Sequence, residues 1–215
     1  MNKQLKMIKE KIQYLQPFAL ARFGDGEKAI LHNIPCNRKG FKFDPEKDQK
    51  FRMNLIKALK LKMKDYFVGI SRKPELFSWY QNMVQSQSLD AALFINENYL
   101  DFINKIVPLF QTRDIILVCN KKAKFENLPF KCEKIHYISD NAWKNDIWDN
   151  LFFDLVWALD TKIVLVAGGP YSCTLIAELW KDLPYHLFID IGSALDPYLY
   201  GKKTRKYHER LNDVS

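Results

Sequence analysis

Short apolar runs that never break for a polar residue, each followed by a helical pattern, constrain this chain more than any other feature. "YFVGI" (66–70), "RDIILVCN" (113–120) and "TKIVLVAGGP" (161–170) each contain such a run, and "HLFIDIG" (186–192) contains one that ends at Asp190. A strand with one wet face alternates apolar and polar residues, whereas a strand covered on both faces does not. Strands of the second kind, separated by helices, predict an α/β fold with a mostly parallel sheet and helices on both faces. No Gly/Ser linker, internal repeat or low-complexity segment divides the 215 residues. The expectation is one domain over residues 1–215, long enough to bury a sizeable core.

The remaining segments fill in that alternation. Leu5, Ile8, Ile12 and Leu15 keep helical spacing, which predicts an N-terminal amphipathic helix over about residues 2–16. "FALARF" reads as a short strand and "EKAILHN" as the start of a helix. Residues 34–44 read as a loop from their Pro, Gly and Asn content. Pro45 is expected to open a helix whose buried face carries Phe51, Leu55, Ala58 and Leu59. Residues 74–87 and 97–110 look helical, with "AALFI" (91–95) a further apolar run between them. "KIHYIS" (134–139) is a shorter strand, and Trp143, Ile147, Leu151, Leu155 and Leu159 share one helical face. "SCTLIAELWKDL" reads as a helix. Residues 193–215 form a polar, basic tail expected to lie over the rest.

A hydrophobic fraction of 47% and an aromatic fraction of 14% argue against disorder. The longest apolar runs are too short to cross a bilayer, and the basic N-terminus lacks the apolar centre of a signal peptide. The four cysteines, Cys36, Cys119, Cys132 and Cys173, have no ligand spacing, so reduced thiols in a cytoplasmic protein are expected. The four histidines show no metal spacing either; His136 and His186 lie in strand-like runs and read as structural. A net charge of +8 suits a solvated lysine-rich surface or an anionic partner. No zinc-finger spacing or aromatic RNA-binding signature accompanies it, so no nucleic-acid partner is expected.

In open parallel sheets, ligands bind beyond the carboxyl ends of the strands. Four polar clusters fall at such ends: Arg22–Glu27, Asn120–Lys122, Gly168–Ser172 and Asp190–Asp196. A parallel sheet would gather all four along one edge. Gly168-Gly169-Pro170 could bring backbone amides and a helix N-terminus to an anion. Equally, it could be a tight turn with Ser172 as the cap. It is neither a P-loop nor a full dinucleotide fingerprint.

The stretch "ARFGDGE" also supports two readings. With Asp25 as helix N-cap, a capping box would need Glu or Gln three residues on, and that position is Lys28. Alternatively, Asp25 and Glu27, spaced by glycine, converge on a hard cation such as magnesium or manganese. Arg22 would then pair with a phosphate or orient a carboxylate. Physics alone supports the cap and the cation site about equally.

"ARFGDGE" resembles the Arg-Phe/Tyr-Gly-Asp-Gly-Glu signature of the GT-D glycosyltransferases. The resemblance continues in order through "RDIILVCN", "ISDNAW", "VLVAGGPYSCTLIAELW" and "FIDIGSALDPY". It implies a Rossmann-like fold, a nucleotide-sugar donor such as a UDP-sugar, and Mn2+ or Mg2+ held by Asp25 and Glu27. Arg22, Gly24, Gly26, Asn120, Gly168, Gly169, Pro170 and Ser193 would face the donor. The acceptor would be a glycan, glycopeptide or other hydroxyl compound, with Asp190 or Asp196 as the base that activates it. The chain departs from the family pattern at Ser193, where a histidine is common, and at Asn120, where an acid often stands. Asp196 lies one step later than the family's acid. The competing expectations are a non-catalytic nucleotide-binding protein and an S-adenosylmethionine-dependent methyltransferase built on the turn at 168–170.

Overall fold

A computed structural model describes residues 1–38, 41–144 and 148–214. In chain order the elements are α1 (Lys3–Gln13), β1 (Phe18–Phe23), α2 (Asp25–Leu31), β2 (Cys36–Arg38), β3 (Phe41–Phe43), α3 (Gln49–Lys60), β4 (Tyr66–Ile70) and α4 (Pro74–Met83). They continue with β5 (Gln87–Asp90), α5 (Tyr99–Lys105), β6 (Ile115–Asn120), β7 (Lys134–Ile138), α6 (Trp148–Val156), β8 (Ile163–Ala167), α7 (Pro170–Asp182), β9 (Leu187–Asp190) and α8 (Asp196–Tyr200). Seven strands form one sheet in the order β5-β4-β1-β9-β8-β6-β7, and every pairing in it is parallel. This is the α/β architecture with helices on both faces that the unbroken apolar runs predict.

The two faces bury separate cores. Ala19, Ala21 and Phe23 of β1 point toward one core, which α2, α3, α4, α6 and α7 cover. Phe18 and Leu20 point to the other, covered by Leu5, Ile8 and Ile12 of α1 and by Tyr99 and Phe102 of α5. Alternate side chains of a strand face opposite ways, so β1 serves both layers. β8 and β9, buried along almost their whole length, do the same.

Several segments differ from the sequence expectation, each for a local reason. Residues 34–44 are not a plain loop: β2 and β3 pair antiparallel, with Cys36 opposite Phe43 and Arg38 opposite Phe41. The residues between them lie outside the described part of the chain. Phe41 and Phe43 alternate with Lys42, a strand period that the Pro and Gly content masks. Pro45 does not open a helix. It sits in a turn where the Asp44 amide donates to the Asp48 carboxylate at 2.9 Å and the Glu46 amide to Asp44 Oδ1 at 3.0 Å. Helix α3 begins after that turn, at Gln49.

"AALFI" is a turn, and the strand is Gln87–Asp90 just before it. Asp90 Oδ1 accepts the Ala92 amide at 2.8 Å, an Asx turn that ends the ladder, and Leu93 and Phe94 are buried by that turn. The region 97–110 is broken into α5 and flanking 3-10 turns. Among the described residues, the helix expected from Trp143 to Leu159 is a 3-10 turn at Ala142–Lys144 and α6. Leu151 and Leu155 are buried, Leu159 is fully exposed, and Ile147 lies outside the described residues. The C-terminal segment is ordered structure: α8, then a 3-10 stretch in which Tyr207 and His208 are buried.

Candidate functional site at the carboxyl ends of β1 and β9

Because the sheet is parallel, β1, β9, β8 and β6 all end on one edge. Strand β1 delivers Arg22 and Phe23 there, and neighbouring β9 delivers Asp190. The turn after β1 starts α2 one residue earlier than the sequence suggests. Gly24 is the N-cap, Asp25 the first helical residue and Glu27 the third. The Gly24 amide donates to Glu27 Oε2 at 2.8 Å, the return half of a capping box. The reading in which Lys28 breaks the box is therefore corrected: the register moves by one, and glycine supplies no side chain for the other half.

The placement separates the two acids. Asp25 is exposed, with Lys73 Nζ at 3.9 Å from its carboxylate. Glu27 turns inward and is only 8% exposed. Burial pushes its carboxyl up to about 7; the charge of Asp190 adds to the rise, while its own backbone hydrogen bonds and Arg22 oppose it. Asp190, 4% exposed, is pushed up to about 6 by burial, against the pull of Arg22 and of two backbone amides. Those amides belong to Arg22, at 3.2 Å from Oδ2, and Gly192, at 2.9 Å from Oδ1.

The Arg22 side chain leaves on the opposite face. Its Nε donates to the Ala91 carbonyl at 2.8 Å and Nη1 to the Asp190 carbonyl at 3.4 Å, and the guanidinium lies over the Phe94 ring at 5.5 Å. It passes Gly69, where a Cβ would stand 3.0 Å from Arg22 Cγ. It then reaches Gly192, where φ is +51 and a Cβ would meet Nη1 at 3.2 Å. Arg22 is 9% exposed, so this cation acts as an internal brace between β1, β9 and the turn after β5.

Three residues that sequence reasoning did not single out complete the cluster. The Cys173 thiol donates to the Arg22 carbonyl at 3.3 Å; burial holds it well above the usual thiol range, with Glu27 and Asp190 adding to the shift. The Tyr80 hydroxyl donates to the Gly24 carbonyl at 3.1 Å. Phe41 of β3 covers the turn: a Cβ on Gly26 would lie 3.0 Å from its ring and one on Gly169 4.0 Å. All three come from distant segments with ordinary core patterning, and no spacing ties them to "RFGDGE".

The other expected residues lie on the same edge but are held by separate partners. The Gly168 amide donates to Ser172 Oγ at 2.9 Å, while Gly169, at φ +57, caps α7 with Pro170 in its first turn. Ser172 thus bridges back to Gly168 and is not the N-cap. Asn120 donates to Asp140 Oδ1 at 2.8 Å, and Lys122 pairs with the same carboxylate. Ser193 Oγ bonds the Tyr207 hydroxyl at 2.7 Å, and Asp196 accepts from Thr204 Oγ1.

Among the described residues, no group of three His, Cys, Asp or Glu side chains could cage a metal by itself. The charge pattern nonetheless fits a hard cation in kind. Two buried carboxylates, Glu27 and Asp190, lie on the face of the sheet away from the Arg22 guanidinium, and a third carboxylate, Asp25, stands in solvent at the start of the same helix as Glu27. Magnesium and manganese commonly take one or two protein carboxylates and complete their shell with phosphate and water.

Fold and site together define a parallel α/β protein with an acidic cluster at the carboxyl edge of its central strands. Three solved structures share the fold. One is the highly conserved domain of unknown function 1792, described as having a distinct glycosyltransferase fold; it is 17% identical over 91% of this chain and 79% of that one, with a TM-score of 0.59. A second is a glycosyltransferase (DUF1792) from Streptococcus sanguinis, 14% identical over 98% and 84%, with a TM-score of 0.64. A third is a selenomethionine-substituted form of domain 1792, 16% identical over 99% and 80%, with a TM-score of 0.61. At these identities the likeness is one of fold, and it is the fold that the "ARFGDGE" resemblance implies. No family model matches the chain, and no curated protein does.

Proposed function

We propose that this protein is a metal-dependent glycosyltransferase that moves a sugar from a nucleotide-sugar donor, a UDP-sugar, to a hydroxyl acceptor such as a glycan or glycopeptide. The observation that carries the reading is the acidic cluster of Glu27 and Asp190 behind the "RFGDGE" turn, on a fold shared with structures described as glycosyltransferases. In this reading Asp25 and Glu27 would hold Mn2+ or Mg2+, which requires one of the two side chains to turn, since Asp25 stands in solvent and Glu27 is buried with Oε2 bonded to the Gly24 amide. The cation supplies Lewis-acid neutralisation of the departing diphosphate, a contribution of several kcal/mol in comparable sites. It would also favour the ionised form of Glu27, whose burial otherwise raises its proton affinity.

The Gly169 turn and the N-terminus of α7 would face the phosphates, while the Gly168 amide would first have to leave Ser172 Oγ. Arg22 would act by bracing Asp190 and the Gly192 turn; direct contact with the diphosphate would require it to leave the Ala91 and Asp190 carbonyls. Of the two expected bases, Asp190 is the better placed. It adjoins Glu27, and a carboxyl titrating near 6 suits proton abstraction close to neutral pH. Asp196 is engaged with Thr204 instead. All four cysteines are free, which suits a reducing, cytoplasmic setting. Among the described residues, no helix is long and apolar enough to cross a membrane.

Calorimetry with UDP tests the reading. UDP should bind in manganese and lose most of its affinity in EDTA or on Asp25→Ala substitution. A panel of nucleotide sugars in manganese should show slow hydrolysis of one donor. Equal UDP affinity with and without the metal would sink the metal-dependent reading and leave a nucleotide-binding protein. Metal-independent binding of S-adenosylmethionine would point to a methyltransferase.

A further inference from the structure

The sequence places no feature between α3 and α7, yet the fold opens a cleft of about 490 Å³ there. That size lies in the range of about 300–1,000 Å³ usual for small-ligand sites. Its apolar wall is Trp143, stacked on Phe51 at 4.3 Å and 9°, together with Tyr171 in the first turn of α7. Its polar surface includes Asn54 of α3 and Thr174 of α7. Among the described residues, the Asn54 side-chain amide has no hydrogen-bond partner, and Trp143 Nε1 is buried without one. An uncommitted side-chain amide beside an aromatic wall matches the surface of a sugar ring, which has an apolar C–H face and a rim of hydroxyls.

Charge narrows the ligand. Among the described lining residues, Lys47 and Lys50 stand with Asp48 and Glu178, two charges of each sign. A phosphate or polyanion would call for an excess of cations, and a cationic ligand for the reverse. The cleft also adjoins the acidic cluster. The Phe41 ring, which covers Gly26, lies 6.3 Å from Trp143 in an edge-on arrangement, so one aromatic ring separates the two sites.

We infer that the cleft between α3 and α7 binds an uncharged saccharide, held against Trp143 and hydrogen-bonded by Asn54. Its role as the acceptor subsite rests on the glycosyltransferase reading above; its binding of saccharide does not. Phe41 is then the partition between donor and acceptor.

The test is an array of neutral hexose and N-acetylhexosamine oligosaccharides with their sulfated counterparts, followed by calorimetry on the strongest ligand. Neutral glycans should bind. Asn54→Ala, on the rim, and Trp143→Phe, which keeps an aromatic wall, should each weaken them roughly tenfold, equivalent to about 1.4 kcal/mol. UDP affinity in manganese should be unchanged in Asn54→Ala. The inference is overturned if no neutral glycan binds, if both variants bind as tightly as the parent, or if the sulfated forms bind better. Saccharide binding without UDP binding would uphold the cleft and remove the donor reading. UDP binding without saccharide binding would do the opposite.

Discussion

The Arg22 amide donates to Asp190 Oδ2 at 3.2 Å, while the Arg22 guanidinium reaches around to the Asp190 carbonyl at 3.4 Å. One residue of β1 thus holds both the side chain and the backbone of its partner on β9, from opposite faces of the sheet. The acid is kept toward Glu27 and the cation is kept away from it. This division leaves Glu27 and Asp190 as a buried pair with raised proton affinity and only partial compensation.

That pair makes stability depend on pH in a defined direction. Glu27 is raised from its ordinary value to about 7, so in the metal-free protein the folded state holds its proton over a range where the unfolded chain has released it. Stability from this group is full below about pH 4.5 and falls as pH rises toward 7. Glu27→Gln cannot ionise. It should melt at a higher temperature than the parent at pH 8, by up to about 3 kcal/mol in stability, with the difference shrinking toward pH 4. Chemical denaturation in EDTA at both pH values measures it, and a variant less stable at pH 8 would contradict the assigned burial. Added Mn2+ should reverse the ranking if Glu27 holds the cation.

Tyr80→Phe removes only the hydroxyl that donates to the Gly24 carbonyl and keeps the ring packed near Phe23. The expected loss is about 1 kcal/mol in urea unfolding. Amide exchange should rise selectively in the Gly24–Glu27 turn. Unchanged protection there would mean that Tyr80 does not restrain the turn.

Gly192→Ala places a Cβ 3.2 Å from Arg22 Nη1 at a backbone φ of +51. A left-handed conformation costs a non-glycine residue about 1–2 kcal/mol, and the guanidinium must also move. The variant should be destabilised by at least that amount, which thermal unfolding would record. Arg22→Lys in the Gly192→Ala background should recover part of the loss, because the shorter head group withdraws from the clash.

His208 is fully buried and joins three backbone groups. Its Nδ1 accepts from the Thr204 and Arg205 amides at 3.1 and 3.2 Å, and its Nε2 bonds the Ser193 carbonyl at 3.0 Å. His208→Ala should cost roughly 2–3 kcal/mol by leaving buried polar groups unpaired. It should also expose the segment after Gly201 to limited proteolysis. Burial lowers the imidazole's proton affinity, so this anchor holds at neutral pH and weakens as pH falls below the unfolded histidine value near 6.5.

Much of the fold was legible in the chain. Unbroken runs such as "KIVLVAGG" state that a strand is covered on both faces, and that alone implies a parallel sheet with helices above and below. The order of helices and strands then requires the polar strand ends to share one edge, which brings "RFGDGE", "AGGP" and "DIG" together. Local chemistry read less well where a turn competed with a pattern. Asp44 and Asp90 capture nearby amides and move the start of α3 and the end of β5, and short-range periodicity does not register such bonds.

By itself the sequence determined the layer architecture, the edge that gathers the polar strand ends and the position of two acids after β1, because these follow from hydrophobic period and chain order. Only the tertiary structure decided which acid is buried. Asp25 and Glu27 differ by two positions on one helix, and helical rotation turns one to solvent and the other toward Asp190. The same holds for Arg22, whose direction is set by the alternation of β1 and by the space left at Gly69 and Gly192. Cys173, Tyr80 and Phe41 join the site through packing between segments far apart in the chain, and such long-range contacts leave no mark on local spacing.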